Sequence, residues 1–139
     1  RTKQQPNDKT EETHMSSDEN KSLFRRANEA INKKDLTVFD KFMASNYIDH
    51  TNQLQGREGV KQFYHNVFTT LPDFHRTIED IAAEGDKVWI RFKITGTLPN
   101  GQKTEAETVS ILRLVNGKAV EGWSVPKVAG DLQKQLFGK

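Results

Sequence analysis

The apolar positions between residues 20 and 71 repeat with the period of an α-helix and predict three helices. The first helix follows Asn20, and its apolar stripe consists of Leu23, Ala27, Ala30 and Ile31. The second is shorter and begins after Asp35, a residue that favours helix N-caps. A brief extended piece and a loop separate it from the third helix, Arg57 to Leu71, which Pro72 ends. The stripe of the third helix consists of Val60, Phe63, Tyr64, Val67 and Phe68.

After Pro72 the apolar period changes from 3.6 to 2, which predicts strands. A first strand lies around Ile78 and Ile81, and a second alternates clearly through residues 87–95. Asn-Gly turns at 100–101 and 116–117 bracket a third strand, residues 108–115, and precede a fourth, residues 119–125. A short C-terminal helix is predicted from Val128, Leu132 and Leu136.

These elements predict one α+β domain in which three N-terminal helices pack on one face of a curved antiparallel sheet. A sheet that wraps around a long helix encloses a cone-shaped pocket. The domain is expected to span residues 20–139, because residues 1–19 are polar and lack apolar periodicity. That polar segment favours an exported protein whose signal has been removed, and a fragment boundary is the alternative.

Composition narrows the possible partners and cofactors. The 139-residue chain carries a formal net charge of +2, and its Lys and Arg residues are interspersed with acids, so no nucleic-acid-binding surface is predicted. The absence of cysteine excludes disulfides, thiol catalysis and Cys-ligated metals. No apolar stretch is long enough to predict a membrane span.

Several short motifs occur in an order typical of one family. They are Asp49-His50, GREG at 56–59, LPD at 71–73, EGD at 84–86, NGK at 116–118, and the Glu-x-Trp segment at 121–123. In this order the chain resembles the SnoaL-like polyketide cyclases of the wider NTF2-like superfamily, over roughly residues 23–137. The departures are Gly122, Ser124 and Lys127, where members of that family usually carry a histidine and two acids.

The resemblance implies a cone fold, frequent homodimers, and neither a metal nor an organic cofactor. The family's founding members close polyketide rings by intramolecular aldol condensation, using a carboxylate in the pocket. Such chemistry needs a base beside the substrate carbonyl and a donor for the developing oxyanion.

Three residues are candidates for this chemistry. His50 is the candidate donor, and Glu107 and Glu121 are the candidate bases if they face the pocket, where burial would raise the pKa of a carboxyl group. Alternatively, the hydrogen-bonding groups of the His50 ring are satisfied by the backbone of a loop. The two glutamates then pair with basic residues on the open face of the sheet.

Aromatic residues are the candidate pocket wall. Tyr64 and Trp123 are predicted to line a ligand site, although ordinary core packing also explains Tyr64. Trp89 alternates with Val88 and Ile90, so it is expected on the outer face of the sheet, where it would favour a dimer interface.

Three functional hypotheses follow from these residues. The first is an enzyme that performs cofactor-free acid/base chemistry, such as aldol-type cyclisation or isomerisation, on a small apolar carbonyl compound. The second is a non-catalytic protein that binds a small apolar molecule in the same pocket. The third is a dimeric scaffold that pairs through the face of its sheet.

Overall fold

The secondary structure was obtained from a computed structural model, which describes residues 15–126. In chain order the described elements are α1 (Ser17–Asn32), α2 (Val38–Phe42), β1 (Met43–Asp49), β2 (Leu54–Gln55), α3 (Gly56–Thr70), β3 (His75–Glu84), β4 (Lys87–Thr97), β5 (Lys103–Val115) and β6 (Lys118–Pro126). The C-terminal helix predicted from Val128 onward lies outside these residues, as does most of the polar N-terminal segment.

Helix α1 begins three residues before the predicted start because Ser16 caps it. The Ser16 hydroxyl accepts a hydrogen bond from the Glu19 amide at 3.1 Å, and the Glu19 carboxylate accepts one from the Ser16 amide at 2.9 Å. This reciprocal pair satisfies two backbone donors that a helix start leaves free. The helix buries Phe24, Ala27 and Ile31.

The six strands between residues 15 and 126 form one sheet in the order β2-β1-β6-β5-β4-β3. Strands β3 to β6 pair antiparallel, as predicted, whereas β1 runs parallel to β6. In that parallel pair Ile48 lies opposite Glu121 and Asp49 opposite Gly122. The α+β class is confirmed by this sheet and its covering helices.

The prediction that all three helices are N-terminal to the sheet was wrong, because β1 and β2 lie between α2 and α3. The brief extended piece predicted between these helices corresponds to the end of β1. The sequence MASNYID of β1 buries only Met43 and Tyr47 and does not alternate cleanly. Its extended conformation depends instead on pairing with β6, more than 70 residues later. Patterns within the segment itself do not reveal such a partner.

Strand β4 shows the predicted alternation most clearly. Val88, Ile90 and Phe92 are almost completely buried toward the helices, and the intervening Trp89 is 46% exposed on the other face. Helix α1 packs on β3 and β4, and α3 packs on β1. The helices therefore cover one face of the sheet, which we call the inner face, and leave the outer face open.

No helix within residues 15–126 is both long and apolar enough to cross a membrane.

Candidate functional site

A cavity of about 100 Å³ lies between the three helices and the inner face of the sheet. All three helices and all six strands within residues 15–126 contribute to its wall. The lining residues are Phe24, Ala27, Ile31, Phe39, Phe42, Met43, Tyr47, Asp49, Asn52, Leu54, Val60, Phe63, Tyr64, Arg76, Phe92, Ser110, Leu112, Trp123 and Ser124. Asn52 and Phe63 are exposed, so the mouth of the cavity lies beside the β1–β2 turn and helix α3.

Arg76 brings a positive charge into this largely apolar wall. It projects from β3 and is only 8% exposed. Its Nε donates a hydrogen bond to the Asn28 Oδ1 atom at 2.6 Å, and its Nη1 donates one to the Tyr64 hydroxyl at 2.8 Å. The guanidinium carbon lies 4.2 Å from the centre of the Phe92 ring, close enough for a cation–π interaction. The guanidinium is therefore held in place by neutral groups.

The backbone of Arg76 is fixed by two asparagines of α1. Asn28 and Asn32 each donate a side-chain hydrogen bond to the Arg76 carbonyl, and the Arg76 amide donates one to the Asn32 Oδ1 atom. Helix α1 and strand β3 are thus joined by polar bonds within a buried layer. Because these bonds hold the main chain, the guanidinium enters the cavity from a rigid support.

Tyr47 contributes a hydroxyl group whose position depends on Gly122. A Cβ atom added at Gly122 would lie 2.3 Å from the Tyr47 hydroxyl and 2.7 Å from the Leu112 Cδ2 atom. Both distances are shorter than van der Waals contact, so the side chain of Tyr47 occupies the space that a residue larger than glycine would need. Burial, followed by the negative charge of Asp49, raises the pKa of Tyr47 above its ordinary value of 10.0. The phenol is therefore neutral at physiological pH.

Asp49 is the carboxylate that lines the cavity. Its Oδ1 atom accepts hydrogen bonds from the amides of Thr51 and Asn52 at 3.0 and 2.9 Å. Its Oδ2 atom accepts one from the Asn52 side chain at 3.1 Å. Asp49 thus forms the Asx turn expected of an aspartate at this place, and at the same time borders the cavity.

Among the five residues predicted for the site, Tyr64 and Trp123 line the cavity. His50, Glu107 and Glu121 do not line it. In β5 and β6, Leu112 lies opposite Gly122, and Arg113 lies opposite Glu121. Since successive strand residues point to opposite faces, and Leu112 and Gly122 face inward, the side chain of Glu121 leaves its strand on the outer face.

His50, Glu121 and Trp123 form a separate cluster with Arg113. The His50 Nε2 and Glu121 Oε1 atoms are 2.9 Å apart, and the His50 ring stacks on Trp123 with 4.9 Å between ring centres. Arg113 Nε donates to the other Glu121 oxygen. Hydrogen bonds from Arg113 and then His50 lower the pKa of Glu121 below its ordinary value of 4.5. This direction is opposite to the raised pKa expected of a buried base.

Glu107 lies on the exposed part of β5. Its carboxylate is 3.5 Å from the Arg91 Nη1 atom, and Arg91 also pairs with Asp80 at 2.6 Å. Lys93 lies opposite Glu107 in β4. The arrangement matches the alternative interpretation of Glu107 as a cross-strand partner on the open face.

Sequence reasoning did not single out Arg76 or Tyr47. For Arg76 a signal existed, because counting back by two from Ile78 places it on the inner face with Phe74. Tyr47 lies in the predicted extended piece, but no partner strand was predicted for that piece and therefore no facing for the side chain. No group of three or more acidic or histidine side chains within residues 15–126 is arranged to hold a metal ion.

Comparison with solved structures identifies the fold of the chain. A structure from Catenulispora acidiphila DSM 44928, described as having a ketosteroid isomerase-like fold and solved in complex with trimethylamine, aligns with a TM-score of 0.65 at 17% identity. The alignment covers 74% of this chain and 83% of that one, and shows a shared fold.

The family model of the SnoaL-like polyketide cyclases matches residues 21–136. The chain therefore belongs to the SnoaL-like polyketide cyclase family, as its motif order indicated. A candidate polyketide cyclase from Bacillus cereus ATCC 10987 is 30% identical, with a TM-score of 0.69 and coverage of 84% of this chain and 78% of that one. AclR of Streptomyces galilaeus, named as a candidate hydroxylase, is 26% identical, with a TM-score of 0.73 and coverage of 89% and 99%. No protein of curated function matches the chain significantly.

Proposed function

We propose that this protein binds a small, largely apolar carbonyl compound in the cavity between its helices and the inner face of its sheet. The proposal rests on the composition of the wall, which is mostly apolar and carries a smaller number of polar groups, among them those of Arg76, Tyr47 and Tyr64. Binding sites for small molecules commonly combine an apolar wall with a small number of placed polar groups.

The size of the cavity limits the ligand. Its volume is about 100 Å³, whereas an apolar cavity of about 150 Å³ is known to hold one benzene molecule. A compound that fits wholly within the cavity is therefore smaller than benzene and has about four non-hydrogen atoms. A larger compound would extend through the mouth beside Asn52 and Phe63.

Nuclear magnetic resonance titration with cyclopentanone tests this proposal. We expect chemical-shift changes confined to backbone amides around the cavity. Ser110→Leu places a larger apolar group in the wall and should abolish these changes. Thr104→Leu, an exposed substitution on the same strand, should leave them intact. Shifts that are absent, or that persist in Ser110→Leu, would contradict the proposal.

Cofactor-free acid/base chemistry on the same ligand is the second candidate, and Asp49 favours it. Within residues 15–126 the side chain of Asp49 is the only carboxylate in the cavity wall. The predicted catalytic residues His50 and Glu121 reach the wall only through Trp123, so a role for them would be indirect.

Exchange of the α-protons of cyclopentanone in D₂O separates catalysis from binding. An enzyme with Asp49 as its base should accelerate the exchange at pH 7, and Asp49→Asn should abolish the acceleration. Asparagine keeps an oxygen that can accept from Thr51 and Asn52, so the turn should persist. His50→Ala and Glu121→Gln test whether the cluster that these residues form with Arg113, which we call the outer cluster, affects the exchange rate. Glu107→Gln serves as a control. Binding without accelerated exchange would identify a non-catalytic protein.

The outer face of the sheet favours a homodimer. Trp89, Val109 and Val125 are 46%, 37% and 61% exposed, and Ile111 lies opposite Trp89 in the strand register. An apolar stripe of this kind is typical of association surfaces. Sedimentation equilibrium should give twice the chain mass, and Trp89→Lys should convert the protein to a monomer. A monomeric parent protein would contradict this part of the proposal.

A further inference from the structure

Arg76 lacks a negatively charged partner. None of the carboxylates within residues 15–126 forms an ion pair with it, and the partners of its guanidinium are an amide oxygen, a phenol and aromatic rings. Removing a charge from water is unfavourable, and buried charges are therefore normally paired with an opposite charge. Arg76 is therefore a cation whose natural counter-charge does not come from the described part of the protein.

The guanidinium also retains donor capacity toward the cavity. Its Nε and Nη1 atoms are bound by Asn28 and Tyr64, whereas its Nη2 atom donates to no described residue. Arginine donors suit oxygen anions, since their planar fork matches the geometry of a carboxylate.

The Tyr47 hydroxyl is a second donor in the same wall. It makes no hydrogen bond to another described residue, and it lies above Gly122 at the inner face of the sheet. A neutral phenol can donate one hydrogen bond to an oxygen anion. Arg76 and Tyr47 both border one cavity of about 100 Å³, so a small ligand within it is near both.

Asp49 does not neutralise Arg76. Both of its oxygens accept hydrogen bonds from the turn that follows β1. Its own charge is thereby stabilised locally, and it forms no ion pair with the guanidinium. The cavity wall thus keeps a cation that is open to an external anion.

We propose that the ligand of this cavity is a small organic carboxylate whose oxygens accept hydrogen bonds from Arg76 and Tyr47, with its apolar part against the aromatic wall. This proposal rests on the proposed function, and it adds the charge and the binding group of the ligand. It assigns binding roles to two residues outside the motifs by which the chain resembles its family.

Isobutyrate and isobutyramide are a suitable pair of probes, because they share size and shape and differ in charge. Their dissociation constants are measured at pH 7 by titration of the cavity amides. We expect the parent protein to bind isobutyrate at least about tenfold more tightly than isobutyramide, as a charge-assisted hydrogen bond is stronger than a neutral one.

Three variants locate the source of this preference. Arg76→Met keeps much of the side-chain volume and should remove the preference while weak binding of isobutyramide persists. Tyr47→Phe should weaken isobutyrate binding about three- to tenfold and serves as a second test if Arg76→Met does not fold. Arg91→Met removes an exposed arginine of the outer face and should leave both dissociation constants unchanged.

Two outcomes overturn the inference and are distinguishable. Equal affinities for the two probes, or a preference for isobutyrate that survives in both Arg76→Met and Tyr47→Phe, would refute the carboxylate site while leaving the proposed cavity function in place. No binding of isobutyrate, isobutyramide or cyclopentanone would refute both.

Discussion

Two polar clusters lie on opposite faces of one sheet and balance their charges differently. In the outer cluster Glu121 is paired with Arg113 and His50, and Arg113 also approaches Asp86 at 3.7 Å. In the inner cluster Arg76 has only neutral partners. The outer cluster is electrostatically complete and partly in water, whereas the inner one holds an unbalanced charge away from water. An ion pair accounts for the outer cluster, whereas the charge of the inner cluster has no counter-charge among the described residues.

The largest expected effect comes from filling the space beneath Tyr47. Gly122→Ala places a methyl group against the Tyr47 hydroxyl and Leu112, and should lower the free energy of unfolding by about 3 kcal/mol, as overpacked cores do. Urea denaturation measures this change. Gly59→Ala is the matched control, since an added Cβ there meets nothing within 4 Å. Equal stability of Gly122→Ala and the parent would show that the inner cluster rearranges freely.

A smaller effect should follow from removing the support of Arg76. Asn28→Ala deletes the acceptor of the Arg76 Nε atom, and we expect a loss of about 2 kcal/mol of unfolding free energy, typical of a hydrogen bond to a charged group. Asn66→Ala, which removes an exposed side-chain bond to Gln62, should change it by less than about 0.5 kcal/mol. Similar losses in the two variants would mean that the buried charge needs no such support.

The smallest effect belongs to the outer cluster and depends on pH. Because the folded-state pKa of Glu121 is below 4.5, its ionised form contributes stability that is present above pH 4.5 and lost as the pH falls through the folded-state value. Glu121→Gln should therefore lower the melting temperature at pH 7, corresponding to about 1 kcal/mol or less. The difference from the parent should shrink below pH 4.5.

Glu107→Gln is the control for this pH series, since Glu107 pairs with Arg91 at 3.5 Å on the exposed face. We expect almost no change in its melting temperature at any pH. A difference between Glu121→Gln and the parent that stays constant down to pH 3 would contradict the assigned role of the Glu121 charge.

Local patterns were sufficient to predict most of the elements. The stripes of α1 and α3 and the alternation in β4 follow from residues close together in sequence, and the structure contains all three. For strand β1 local patterns predicted only a brief extended piece, and neither its full length nor its place in the sheet. It is stabilised by a parallel partner far along the chain, and its own buried and exposed residues do not alternate.

The site was predictable only in part, because the facing of its side chains also depends on pairing between segments far apart in sequence. Tyr64 and Trp123 were expected in the wall because large aromatic side chains favour cavities and cores. The facing of Glu121 depends on the register between β5 and β6, which places it beside Arg113. Arg76 was overlooked because charged side chains are seldom fully buried, so composition alone argues against such a position.

The position of β6 has a consequence for how the protein is made. This strand lies between β5 and β1, so the N-terminal part of the sheet has no edge to join until residues 118–126 have been synthesised. Contacts between such distant segments form slowly, because the entropy of closing a long loop is lost before the strand pairing contributes any stabilisation. A nascent chain released before that point would carry β1 and its aromatic neighbours unpaired, exposed to chaperones and proteases.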